Sequence, residues 1–147
     1  MEFRSRVHGS MATVPDIEFN YGSVYIRFNV TRVQETFRFP DDNDNIIEQT
    51  IEVWEYDEWF MSDYEYKQVQ QGYMPYNGRW DEQTHKIFRE YQHERADDKY
   101  TYAERMFRAT GDSRYSAYIS QLDQWNAAIS ATKTTLSLDI PVMPTID

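Results

Sequence analysis

Between Ile17 and Phe39 apolar and polar residues alternate. Val24, Ile26, Phe28 and Val30 fall on one side, with Tyr25, Arg27, Asn29 and Thr31 on the other. A period of two marks a half-buried β-strand. The run Glu35–Phe39 alternates again and stops at Pro40, and the cluster Asp41–Asn45 is turn chemistry. A further run, Ile47–Trp54, places Ile47, Ile51 and Val53 on one face. The pattern predicts an antiparallel meander of roughly three strands. From Tyr56 to Trp80 the period fades into mixed acidic and aromatic residues, with a short helix expected around Asp57–Gln70. Gly72, Pro75 and the Asn77–Gly78 turn signal mark a hinge over 72–80.

Helical spacing takes over at Asp81, a good N-cap, with Thr84 three residues on in place of the Glu or Gln of a full capping box. Phe88, Tyr91, Arg95, Tyr102, Met106 and Ala109 recur near the helical period, but the polar stretch His93–Asp98 leaves a whole, kinked or broken helix open. Gly111 suits a left-handed C′ position, and Asp112 or Ser113 suits the next N-cap. The second helix carries a stripe of Tyr115, Tyr118, Ile119, Leu122, Trp125, Ala128 or Ile129, and Thr132. So short a turn predicts an antiparallel hairpin over 81–132. Leu136, Leu138 and Ile140 alternate as an extended arm that ends at Pro141 and Pro144. The expected class is α+β: an N-terminal antiparallel meander (11–71), a hinge (72–80), then a helical hairpin and C-terminal arm (81–147).

Residues 1–10, MEFRSRVHGS, are rich in dipeptides that cloning sites encode, and Met11 offers a second start. This leader is set outside the expected fold.

Composition narrows the function classes. The 147 residues carry a formal charge of -10 and an aromatic share of 16%, so a folded, soluble chain is expected rather than a disordered one. No basic patch offers a nucleic-acid footprint. The absence of cysteine excludes disulfides, thiol catalysis and Cys-type zinc sites. No apolar run reaches the roughly 18 residues that span a bilayer. The acids at Asp41, Asp42 and Asp44, and from Asp57 and Glu58 to Asp63 and Glu65, read as solvated surface, or alternatively as a surface that mimics nucleic acid.

Candidate chemistry is thin. Asp41, Asn43, Asn45 and Glu52 have calcium-loop spacing, but Ile46 stands where such a loop needs glycine, so a hairpin turn is expected. His85 and His93 lie eight apart without a metal motif and are expected to face solvent. No serine-hydrolase or phosphate-loop signature is present. Trp54, Trp59 and Trp80 could build a sugar-stacking platform, although packing roles are favoured. Trp125 is expected in the core, against Met106 and Phe107, or else as the anchor of a partner groove. The sequence therefore nominates no catalytic residue, no metal ligand and no cofactor.

Three segments carry a resemblance: Ala109-Thr110-Gly111-Asp112, Leu122-Asp123-Gln124-Trp125-Asn126, and Leu138-Asp139-Ile140-Pro141-Val142-Met143-Pro144. Together they resemble the C-terminal part of tail-fibre and tail assembly chaperones of tailed bacteriophages. The Tyr-Arg that commonly follows the helix Trp is replaced by Asn126-Ala127-Ala128. The resemblance implies a non-enzymatic binding or assembly protein, or a virion component sharing the module, in the cytoplasm of the bacterial host or in the virion. Its partner would be another protein, a phage fibre or tail protein, with no direct contact to nucleic acid or membrane and with self-association left open. Tyr118, Leu122, Trp125, Ile129, Leu138 and Ile140 are the expected partner-binding residues. The alternatives are an acidic inhibitor of a host defence or nucleic-acid enzyme, and a carbohydrate-binding module.

Overall fold

The computed structural model describes residues 1–74 and 78–146. Pro75, Tyr76 and Asn77, with the Asn77–Gly78 turn signal and the centre of the expected hinge, lie outside the described residues. The chain forms two compact units, Met1–Tyr64 and Glu65–Asp147.

The first unit is a four-stranded antiparallel sheet. Its strands are β1 (Glu2–Gly9), β2 (Ile17–Asn20), β3 (Ser23–Pro40) and β4 (Ile46–Ser62), in the order β1-β4-β3-β2. The meander β2-β3-β4 is as expected, but two details differ. Glu2–Gly9, which the sequence reading left out, is the strand that covers the far edge of β4. Phe3 packs on Trp59 and Phe28, at centroid separations of 5.1 and 6.1 Å. Second, the runs 17–39 and 35–39 belong largely to one strand. Up to Phe28 the even residues Val24, Ile26 and Phe28 share a face with Trp59 and Met61, and beyond Thr31 the odd residues Val33, Phe37 and Phe39 take over that face. The change of phase is a β-bulge at Asn29 and Val30, where an extra residue is inserted and Asn29 has φ +54°.

β1 bulges at the same level, with Arg6 at φ +52°. One carboxylate on the strand between them serves both bulges. Asp57 accepts from the Arg6 backbone N–H at 3.1 Å and from Asn29 Nδ2 at 2.9 Å. Asp57 and Glu58 therefore lie inside β4, which runs to Ser62, rather than in an irregular segment.

The helix α1 (Asp63–Gln70) leads into the second unit, which holds α2 (Glu82–Thr110) and α3 (Ser113–Ala131). Asp81 and Thr84 form a reciprocal capping box, Gly111 closes α2 at φ +65°, and Asp112 caps α3 through Arg114 N–H. α2 runs unbroken through its polar middle because Ala96, within that stretch, is fully buried against α3. The helices are antiparallel: Tyr102 meets Tyr115 near the turn, and His93 bonds Asn126 Oδ1 at 2.8 Å farther along.

Candidate functional site

The expected partner-binding residues fall into one cluster in the second unit. Tyr118, Leu122, Trp125 and Ile129 are buried together with Ala96 and Ala103. Small alanines let α2 and α3 approach closely, and the His93–Asn126 bond sets Trp125 near the level of Ala96 rather than of Met106 and Phe107. Phe107 is instead exposed.

The cover over this cluster is the chain's own tail. Ile140, Met143 and Ile146 pack against it. Trp125 Nε1 donates to the Pro141 carbonyl at 3.0 Å, and Tyr118 Oη donates to the Pro144 carbonyl at 3.3 Å. Ile140 thus joins the cluster as an internal contact, while Leu138 is half-buried. A foreign partner reaches the stripe on α3 only where the tail has left it.

His85 anchors the start of the tail. The expectation of a solvent-facing histidine is overturned, since His85 is fully buried on α2. Its Nε2 lies 2.8 Å from the Ser137 carbonyl, and its Nδ1 meets Arg89 Nη1. A carbonyl only accepts and a guanidinium only donates, so the pattern requires the neutral ring protonated at Nε2. Loss of solvation lowers the His85 pKa, and the charge of Arg89 lowers it further against the opposing Ser137 bond. Burial likewise lowers the pKa of Arg89.

In the first unit, Arg27 and Glu58 form a buried ion pair at 2.8 Å. Arg27 also bonds Glu18 at 2.6 Å and lies over the rings of Tyr25 and Tyr56, and Glu58 also meets Arg4 at 3.4 Å. Burial opposes the charge on Arg27, but hydrogen bonds from Glu18 and Glu58 outweigh it and raise its pKa. Glu58 was expected at a solvated acidic surface and instead holds the sheet together. Its place opposite an arginine one strand away, fifty-odd positions from Arg4, has no local sequence signal.

The calcium-like spacing forms a hairpin turn. Asp41 Oδ1 accepts from the N–H groups of Asn43 and Asn45 at 2.8 and 2.9 Å, and Asp44 adopts φ +62°. Glu52 sits in β4 opposite Gln34. Among the described residues no group of three or more His, Asp or Glu side chains could hold a metal ion, and no helix is long and apolar enough to cross a membrane. Within the first unit Trp54 and Trp59 stand on opposite faces of β4. Trp59 and Trp125 are buried, Trp54 lies under the Arg32 guanidinium at 4.2 Å, and Trp80 packs on His85 and Phe88.

The open apolar surface lies where the sequence reading did not look. β1 covers β4 only from Trp54 to Phe60, and β2 covers β3 only from Ser23 to Ile26. Beyond those points β3 and β4 continue as a two-stranded arm, 33–40 paired with 46–53. Register places Val33, Phe37, Phe39, Ile47, Ile51 and Val53 on one face together with Glu35 and Gln49, opposite Gln34, Thr36, Arg38, Ile46, Glu48, Thr50 and Glu52. Phe37 is 44% exposed, and Phe39, Ile47 and Ile51 are exposed with it. The signal was present in the alternating run 35–39, but alternation alone reads as an apolar face turned inward. No protein-family profile, curated protein or solved structure matches this chain.

Proposed function

We propose that this chain is a non-enzymatic binding and assembly protein of the tailed-phage type, acting on a fibre or tail protein in the bacterial host cytoplasm or retained in the virion. The observation that carries the binding reading is the apolar face of the β3–β4 arm. Exposed apolar side chains gathered on one face, here interrupted by Glu35 and Gln49, are characteristic of protein-binding sites. Residues 33–53 carry Glu35, Asp41, Asp42, Asp44, Glu48 and Glu52 against Arg38 alone, 6 − 1, a formal charge of -5. An apolar stripe crossed by Glu35, with an acidic rim at the Asp41–Asp44 tip and Glu48 and Glu52 on the reverse face, suits a partner whose apolar surface carries Lys and Arg. The phage assignment rests on the resemblance in the C-terminal third.

The same acidic rim favours a second reading, an inhibitor that occupies a basic host enzyme. One experiment separates the two. Affinity capture from phage-infected host lysate, with partners identified by mass spectrometry, is run with the native chain and with Phe37→Ser/Ile51→Ser. Recovery of a fibre or tail protein that the variant loses supports assembly. Recovery of a nuclease or other defence enzyme supports the inhibitor. Equal recovery by both chains removes the arm from either role.

A further inference from the structure

The tail has a period of three. Ile140, Met143 and Ile146 pack inward, whereas Pro141 and Thr145 are exposed and Val142 is 92% exposed. The carbonyls that accept from Trp125 and Tyr118 belong to Pro141 and Pro144, again three apart. Three residues per turn is the polyproline II period, and a rise of about 3.1 Å per residue sets those carbonyls about 9 Å apart. The two donors are seven positions apart on α3, about 10.5 Å at a rise of about 1.5 Å per residue. The repeats match, and docking a proline-containing segment along an aromatic-lined groove is the way polyproline II segments are recognised. Such a seat reads the pattern of the segment and is indifferent to which chain supplies it.

The hinge before the tail adds a second observation. Leu136 N–H bonds the Thr132 carbonyl at 2.9 Å in a tight turn after α3, and Leu136 takes φ +55°. That region is unfavourable for a side chain of this size. The link between α3 and the tail is therefore a strained one, and a rearranged link is free to leave that region.

We propose that the α2–α3 groove is a seat for an extended, proline-punctuated segment, and that the tail of a second copy takes this seat, exchanging residues 137–146 between two copies. Each contact of the closed tail is remade in the exchanged form, which is the low-cost route to a dimer. Two chains of charge -10 repel, so salt favours the exchange.

The chain has no cysteine, which makes the test clean. Thr145 on the tail and Lys99 on α2 line one cavity, together with Asp98, Tyr102, Tyr118 and Ile146. Full-length Thr145→Cys and Lys99→Cys chains are mixed and treated with a short bis-maleimide. The expected result is a covalent dimer joining the two variants, whose share rises in proportion to protein concentration while it is minor, and rises with salt. It is lost when Lys86→Cys, thirteen residues and about 20 Å back along α2 at a rise of about 1.5 Å per residue, replaces Lys99→Cys. The double variant Thr145→Cys/Lys99→Cys, in dilute solution, closes within one chain and so verifies the seat. Closure of the double variant with no dimer in the concentrated mixture overturns the exchange. Failure of the double variant to close overturns the seat itself.

Discussion

Arg27 and Glu58 face each other in register across β3 and β4, with Nε and Oε2 at 2.8 Å and only 6% and 3% of the two side chains exposed. A pair this buried resists loss of one partner far more than replacement of both. Breaking it with Glu58→Ala leaves Arg27 with Glu18 alone, and about 3 kcal/mol of stability is expected to go, at the low end for buried pairs because Glu18 remains. Arg27→Met/Glu58→Leu is expected to recover most of that, since Arg4 and Glu18 are exposed enough to return to water. Urea unfolding of the three proteins checks this; a double variant no more stable than the single one contradicts it.

Trp125 sits at the centre of the helical cluster and bonds the tail. Trp125→Ala is expected to cost about 3–5 kcal/mol, the range for emptying a core aromatic site. Trp125→Phe keeps most of the volume and loses the bond to Pro141, so a smaller loss is expected. Thermal unfolding decides, and a fully folded, equally stable Trp125→Ala protein would show that the indole is a surface anchor.

Gly111 closes α2 with nothing within 4 Å of where a Cβ would stand. The cost of Gly111→Ala is therefore conformational alone, about 1 kcal/mol. Asn29 occupies the same backbone region inside a strand, but its side chain bonds Asp57. Asn29→Gly is expected to be milder than Asn29→Ala, because only the latter adds backbone strain to the lost bond. The ranking by chemical denaturation is the test, and the reverse order would contradict it.

The pKa values of His85 and His8 are shifted in opposite directions. Burial, then Arg89, holds the His85 pKa below its ordinary value. The unfolded chain takes that proton near pH ~6.5, so the stability His85 supplies is full above this value and declines as pH falls below it. His8 lies between carboxylates, 2.9 Å from Glu55 and 3.2 Å from Glu35, and the hydrogen bond to Glu55 leads in raising its pKa. Its contribution is full at low pH and fades as pH rises through the raised folded value. Proton NMR should show the His85 imidazole titrating below that of His8. His85 titrating at or above its ordinary value would mean that the ring is not sealed beneath the tail.

Helix ends were the most legible part of this chain. The caps depend on neighbours within a few residues: Asp81 and Gly111 form as expected, and Asp112 takes the N-cap for which Asp112 and Ser113 were alternatives. The sheet was legible in kind but not in extent. A bulge at Asn29 shifts the alternation by one residue, which reads in sequence as the end of one strand and the start of another. The bulge at Arg6 does the same to β1 by sending Phe3 and Val7 to opposite faces, and the cloning-type dipeptides completed the disguise. Glu58 and His85 were misplaced for a shared reason. A polar side chain is buried only with a partner; Arg27 is 31 positions from Glu58, and although Arg89 stands one helical turn from His85, the Ser137 carbonyl that completes its bonding is 52 away. On α3 the stripe Tyr118, Leu122, Trp125 and Ile129 was found correctly as a face, but a periodic face does not reveal that residues 140–146 lie on it.

The strands of the sheet are unequal: 18 and 17 residues in β3 and β4, against 8 and 4 in β1 and β2. An isolated ribbon of two strands is marginal in water, so pairing in the arm draws its persistence from the three- and four-stranded base. Opening from the Asp41–Asn45 turn inward therefore costs little at first and rises where β1 joins at Trp54. Amide hydrogens along β4 will exchange fastest near Ile46 and progressively more slowly toward Met61. The apolar face of the arm is thus carried on the segment whose backbone most readily comes apart and re-forms around something else.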